Sequence, residues 1–299
     1  MPTYLPIRYP LFWEELRRRL RGGRMQVVVL VYTLLLMALL FFVTQMNSIG
    51  ENPREWARFG KELWQIFVLA QMVIIIILSP GLTAGAISLE KEQGTLDLLI
   101  LTRMSSLSIV LGKFFGAIGQ MLFLLLAGLP IISVVFFFGG VSPWDIALGY
   151  TLTIATGLGY AALGFLMSCW CKRVIPAVAW AYALMLLLAV ILPIIPLVLE
   201  VIAHHDFSDL TVFIFIMSNP AISYFGVFMD HDFSFWSREW EIVPTFLIMI
   251  MITMSLLASS TLMLRRLRGL SSPFTFTKLK RLIMVQWLDF PEGVRLYKP

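Results

Sequence analysis

Long apolar runs without a single charge, separated by short polar blocks, dominate this chain. They occupy residues 26–46, 63–87, 114–141, 146–170, 174–199 and 242–264. At about 1.5 Å of rise per residue, each is long enough as a helix to cross a hydrocarbon layer of roughly 30 Å. The pattern predicts an all-α polytopic membrane protein with six transmembrane helices. A seventh apolar stretch, 210–229, is interrupted at Asn219-Pro220. It is read instead as part of an external helical loop, 203–241, between spans five and six.

Composition agrees with the pattern. Hydrophobic residues make up 59% of the chain, mean hydropathy is +0.85 and only 14% of residues are charged, more apolar surface than a water-soluble domain of this size can bury. Lys and Arg fix the expected orientation, because they favour the cytoplasmic side. With the N-terminus inside, 19 of the 23 basic residues fall in cytoplasmic segments, and only Arg54, Arg58, Lys61 and Arg238 face outward. A seventh span would expel the basic C-terminal tail. Three regions result: a cytoplasmic interfacial segment 1–25, a transmembrane domain 26–264 and a cytoplasmic basic tail 265–299. The expected location is the plasma (inner) membrane, with both termini cytoplasmic. Six arginines precede the first run and no small-residue cleavage pattern follows it, so that run is predicted to be a retained span.

In the first segment, Phe12, Trp13, Leu16 and Leu20 share one helical face, while Glu14, Arg17, Arg18 and Arg21 fall elsewhere. Such a helix can lie in the headgroup layer, apolar face down. Cys169 and Cys171 suggest neither a disulfide framework nor a metal site. His204, His205, Asp206, Asp209, Asp230, His231 and Asp232 carry metal-ligand chemistry but are read as a solvated loop. No ionisable residue lies in the middle of any run, which disfavours an ion-coupled transporter or a membrane-embedded hydrolase. A Walker A loop is absent: Gly112-Lys113 is followed by Phe114, and position 107 is Leu. No catalytic residue and no metal ligand is assigned, and ATP chemistry would require another chain.

The connector between spans two and three stands apart. Glu90 and Glu92 extend the second helix, Gly94 permits a reversal, and Leu96, Leu99 and Ile100 form an apolar ridge on a short helix. An apolar ridge with acidic flanks on the cytoplasmic side is a docking surface. The run E-K-E-Q-G-T-L-D-L-L-I-L-T with the downstream L-G-K resembles the signature of ATP-binding-cassette permeases of the type-2 exporter family, E-x-E-x-G-T-L-[ED]-x-L-L. Arg103 stands where many relatives have proline. The resemblance extends to the whole layout: interfacial helix, six spans, coupling segment and external excursion. It implies that a coupling segment at 88–108, with Glu90, Glu92, Gly94, Thr95, Leu96, Asp97, Leu98 and Leu99 at its centre, receives cytoplasmic nucleotide-binding ATPase subunits. It also implies a second permease copy or paralogue as partner, with ATP and Mg held by the ATPase and no cofactor in this chain. The lipid bilayer is the remaining partner, and nucleic acid is not expected.

Two other classes compete with a permease: a membrane anchor that recruits an ATPase for a non-transport task, and a secondary transporter. A neighbouring gene for a Walker A ATPase supports the first two and disfavours the third. The topology itself is directly testable. A reporter active only outside the membrane is expected to be active when fused after Phe207 and silent after Ser272; activity at both positions means seven spans.

Overall fold

The structure, a computed structural model, describes residues 15–17, 19, 23–46, 52–96, 106–191, 194 and 238–271. Every regular element among them is helical. Span one is Gly23–Met46, span two Pro53–Ala84 and the connector helix Ser88–Glu92. Span three is Ser106–Ser133, followed by the helical turn Val135–Phe138. Span four is Pro143–Trp170, and span five is Val174–Leu186 continued by a π-helical stretch Leu187–Ile191. Span six is Arg238–Ser271. Among the described residues six helices are long and apolar enough to cross a membrane, so the chain has the architecture of a multi-pass membrane protein.

Several boundaries differ from the hydropathy reading. Span two begins at Pro53, ten residues before its apolar run, after Asn52, whose side-chain amide donates to Glu55 Oε1 at 3.1 Å. The charges that ended the run sit on this helical extension, where Arg58 pairs with Glu62 one turn later at 3.1 Å. Span three starts at Ser106 instead of 114, which draws Lys113 inside the helix. Span six runs from Arg238, inside the predicted loop 203–241, past 264 to Ser271, so the predicted loop ends and the predicted tail opens as helix. Most of the external loop 203–241, with its histidines, and the tail beyond 271 lie outside the described residues.

Span four is the axis of the bundle. Some 83% of its membrane window is buried, against 11% for spans one and five. Its buried stretch holds Gly149, Ala155, Gly157, Gly159, Ala161, Ala162 and Gly164, and small side chains let helix backbones approach closely where lipid supplies no hydrophobic drive. At Gly164 a Cβ would lie 2.5 Å from the Pro80 carbonyl oxygen of span two. Span five rests on the same axis through Ala177 and Ala181, packed with Ala84 and Met167. Span six approaches at Gly159, beside Met249.

The turn into span four is made by Gly139 and Gly140, both at positive φ, a region glycine adopts without steric cost. Phe138 at this turn stacks on Trp56 and meets Phe59 edge-on, which fixes it to the extension of span two. Ser142 and Asp145 then form a capping box at the start of span four, with Pro143 in the first turn.

The crossing of spans two and four yields a stability prediction. Gly164→Val is expected to cost about 1–3 kcal/mol from overpacking against backbone, seen as a lower thermal transition in detergent. Trp180→Ala, on the exposed face of span five, is expected to stay within about 0.5 kcal/mol. Equal effects of the two would refute the crossing.

Candidate functional site

Span two does not run straight into the connector. Pro80 lies inside it, and the helix gives way to a turn at residues 85–87 before the connector helix begins. A break frees backbone groups that must find partners within the protein. The amides of Ile87 and Ser88 both donate to Ser168 Oγ of span four, at 2.8 and 2.9 Å. The Leu82 carbonyl accepts from Arg19 Nη1 at 2.9 Å. Thr83 Oγ1 donates to the Ala161 carbonyl at 2.7 Å, adding a direct link from span two to span four.

The connector helix is then fixed to three different spans by three consecutive residues. Successive helical residues point about 100° apart, so Glu90, Lys91 and Glu92 project in separate directions. Glu90 Oε1 pairs with Lys113 Nζ of span three at 2.5 Å, and the lysine side chain is only 3% exposed. Lys91 Nζ donates to the carbonyls of Ser168, Cys169 and Cys171. It thereby satisfies the last turn of span four and meets the negative end of that helix dipole. Glu92 Oε2 accepts from the Val174 amide at 2.9 Å, placing negative charge at the positive end of span five.

The helix closes in a Schellman motif. Thr95 N–H donates to the Glu90 carbonyl at 2.9 Å and Gly94 N–H to the Lys91 carbonyl at 3.3 Å, with Gly94 at φ 70° as the left-handed cap residue. The reversal attributed to Gly94 from sequence is present. It brings the chain back over span three, so Leu96 is 8% exposed and belongs to the apolar cluster that includes Ile109, Val110, Phe114 and Phe165.

Here the sequence reading needs correction: Leu96 faces the protein's own core, not an outward ridge. Its ridge partners Leu99 and Ile100, with Asp97 and Leu98, lie outside the described residues. Glu90 and Glu92 are likewise more than acidic flanks, since each is bonded to another span. The exposed face of the connector consists of Leu89, Glu92, Gln93, Gly94 and Thr95.

The N-terminal segment meets the same region. Glu15 is buried and pairs with Arg19 at 2.7 Å. Glycines on span three make room for it: a Cβ at Gly116 would lie 2.7 Å from Glu15 Cγ, and one at Gly119 would lie 2.5 Å from Leu16 Cδ1. Leu16 therefore packs against protein, and Arg17 is exposed. Phe12, Trp13 and Arg18 lie outside the described residues.

Sequence reasoning gave no structural role to Lys91, Lys113, Arg19 or Ser168: the three cations were counted toward orientation, and Lys91 and Lys113 otherwise entered only as letters of quoted motifs. One signal was present. Lys113 precedes a long apolar run, and a cation drawn into apolar surroundings needs an anion or carbonyls. Cys169 and Cys171 are free thiols. Among the described residues no group of three or more His, Cys, Asp and Glu is placed to hold a metal. No protein-family model and no curated protein matches the chain.

The buried pair makes a sharp prediction. Lys113→Met strands Glu90 and is expected to cost about 3–5 kcal/mol, while combining it with Glu90→Gln restores much of the loss. Thermal unfolding of the two single variants and the double variant measures this, and strictly additive losses would exclude a coupled pair.

Proposed function

We propose that this chain is the membrane-spanning permease subunit of an ATP-binding-cassette exporter, with its connector as the element that receives a separate ATPase. The observation that carries this reading is the clamp made by Glu90, Lys91 and Glu92, which joins one short helix to spans three, four and five. A helix merely lying on lipid requires no such joint; a helix through which force enters a bundle does. The resemblance of the surrounding residues to the type-2 exporter signature points the same way. So does the charge asymmetry, which favours a cytoplasmic connector.

In this mechanism nucleotide-binding subunits dock on the connector, and ATP with Mg is bound and hydrolysed by them. Closure of the ATPase pair displaces the connector. The polar clamp transmits the displacement to spans three, four and five together, and the N-terminal segment follows through Arg19. A second permease copy or paralogue completes the pathway, so rocking of one half against the other changes access.

The docking face is now assigned to the exposed side of the connector, because replacing the buried Leu96 would disturb the fold before it disturbed a partner. Co-expressed with the nucleotide-binding subunits of its own genome, the chain is expected to co-purify with one of them. Leu89→Asp combined with Gln93→Arg is expected to reduce bound ATPase at least about tenfold, equivalent to roughly 1.4 kcal/mol, while leaving the thermal transition of the permease within a few degrees. Full retention of ATPase by this variant, or failure of the native chain to bind any such subunit, would overturn the proposal.

A further inference from the structure

Well away from the connector, spans one to four enclose polar side-chain atoms with nothing to bond. Gln71 of span two is 1% exposed and Tyr32 of span one 2%. Both amide atoms of Gln71 and the hydroxyls of Tyr32 and of Tyr150 in span four are buried without a hydrogen-bond partner. These groups converge. A Cβ built on Gly128 of span three would lie 3.0 Å from the Tyr32 hydroxyl and 3.7 Å from the Tyr150 hydroxyl. The Gln71 carboxamide lies beside the Tyr150 hydroxyl but outside hydrogen-bonding geometry. The surrounding wall is apolar, with Leu36, Phe67, Val68, Leu124 and Leu152 in the same cluster.

Orphaned polar atoms in such surroundings are costly, and neither lipid nor bulk water reaches them to relieve the cost. The three side chains supply two amide N–H donors, two hydroxyl donors and three acceptor oxygens. A buried water needs two to four polar partners, and this set provides them from three helices. All three side chains are neutral hydrogen-bonding groups, which suits a neutral ligand over an ion. The missing side chain at Gly128 lets both hydroxyls come close to the backbone of span three.

We propose that Tyr32, Gln71 and Tyr150 form a hydration site in the membrane interior, where bound water bridges span one to spans two and four. The bridge matters most for span one, whose buried side chains are Met25, Tyr32 and Leu36. The water would add a polar link to the direct contact that Gln120 Nε2 of span three makes with Met25 Sδ at 2.9 Å. This site is independent of the transport reading.

Radiolytic hydroxyl labelling of the intact purified protein tests it, because radicals made from a bound water label the side chains that hold it even when bulk solvent cannot enter. Phe114 and Phe165 match the burial of Tyr32 and serve as its references, whereas Tyr150 is half-buried and is read through its response to Gln71→Leu. After correction for ring reactivity, Tyr32 is expected to be labelled several-fold faster than these phenylalanines. That excess and the labelling of Tyr150 are expected to fall in Gln71→Leu. Tyr32 labelling at the phenylalanine level, or an excess that Gln71→Leu leaves unchanged, overturns the proposal. Should that variant fail to assemble, the native-protein comparison decides alone.

Discussion

A membrane helix that breaks inside a protein must hand each freed amide and carbonyl to another protein group, since lipid offers none. In this chain that constraint acts where span two gives way to the connector, and the surrounding structure is organised by the solution. Ser168 takes two amides, Arg19 takes a carbonyl and Lys91 takes the open end of span four. Each of these side chains must be held in place in turn. Arg19 brings the N-terminal segment onto span three, where glycines admit it. Ser168 requires span four to lie against the break, which the small residues of span four permit.

The result is a bundle with unequal parts. Spans two and four form a close-packed centre, with span six against span four at Gly159, and span five lies on it with Ala177 and Ala181 buried and Tyr182 against Gly81 of span two. Span one is mostly exposed along its length. A displacement at the connector therefore cannot be absorbed locally, because its three charged residues belong mechanically to three other helices. Under the permease reading this is the property a coupling element needs: one small helix, rigidly joined, through which an outside motor moves a bundle. The peripheral spans then have freedom to shift while the centre stays intact.

Hydropathy made the six spans legible because about 20 apolar residues leave a chain in lipid no alternative to a helix. Gly94 was legible for the same kind of reason, as a reversal with positive φ favours glycine. Other features were hidden by distance along the chain. The partner of Glu90 lies 23 residues away and those of Lys91 lie 77 to 80 away, and no periodicity reports such pairings. Leu96 misled because an apolar face on a short helix looks alike whether it meets a partner or folds back on span three. The start of span two at Pro53 was obscured by charges that end a hydropathy run without ending a helix.

The central claim is that the connector is welded to the bundle by tertiary hydrogen bonds, and amide hydrogen exchange of the intact protein measures this most directly. The amides of Ile87 and Ser88 have a side-chain acceptor from span four, and the amide of Val174 has one from the connector. They are expected to exchange as slowly as amides in the adjoining turns of spans four and five. Ser168→Ala is expected to release Ile87 and Ser88 while sparing Val174. Exchange of all three in the native protein at the rate of an exposed loop would contradict the account.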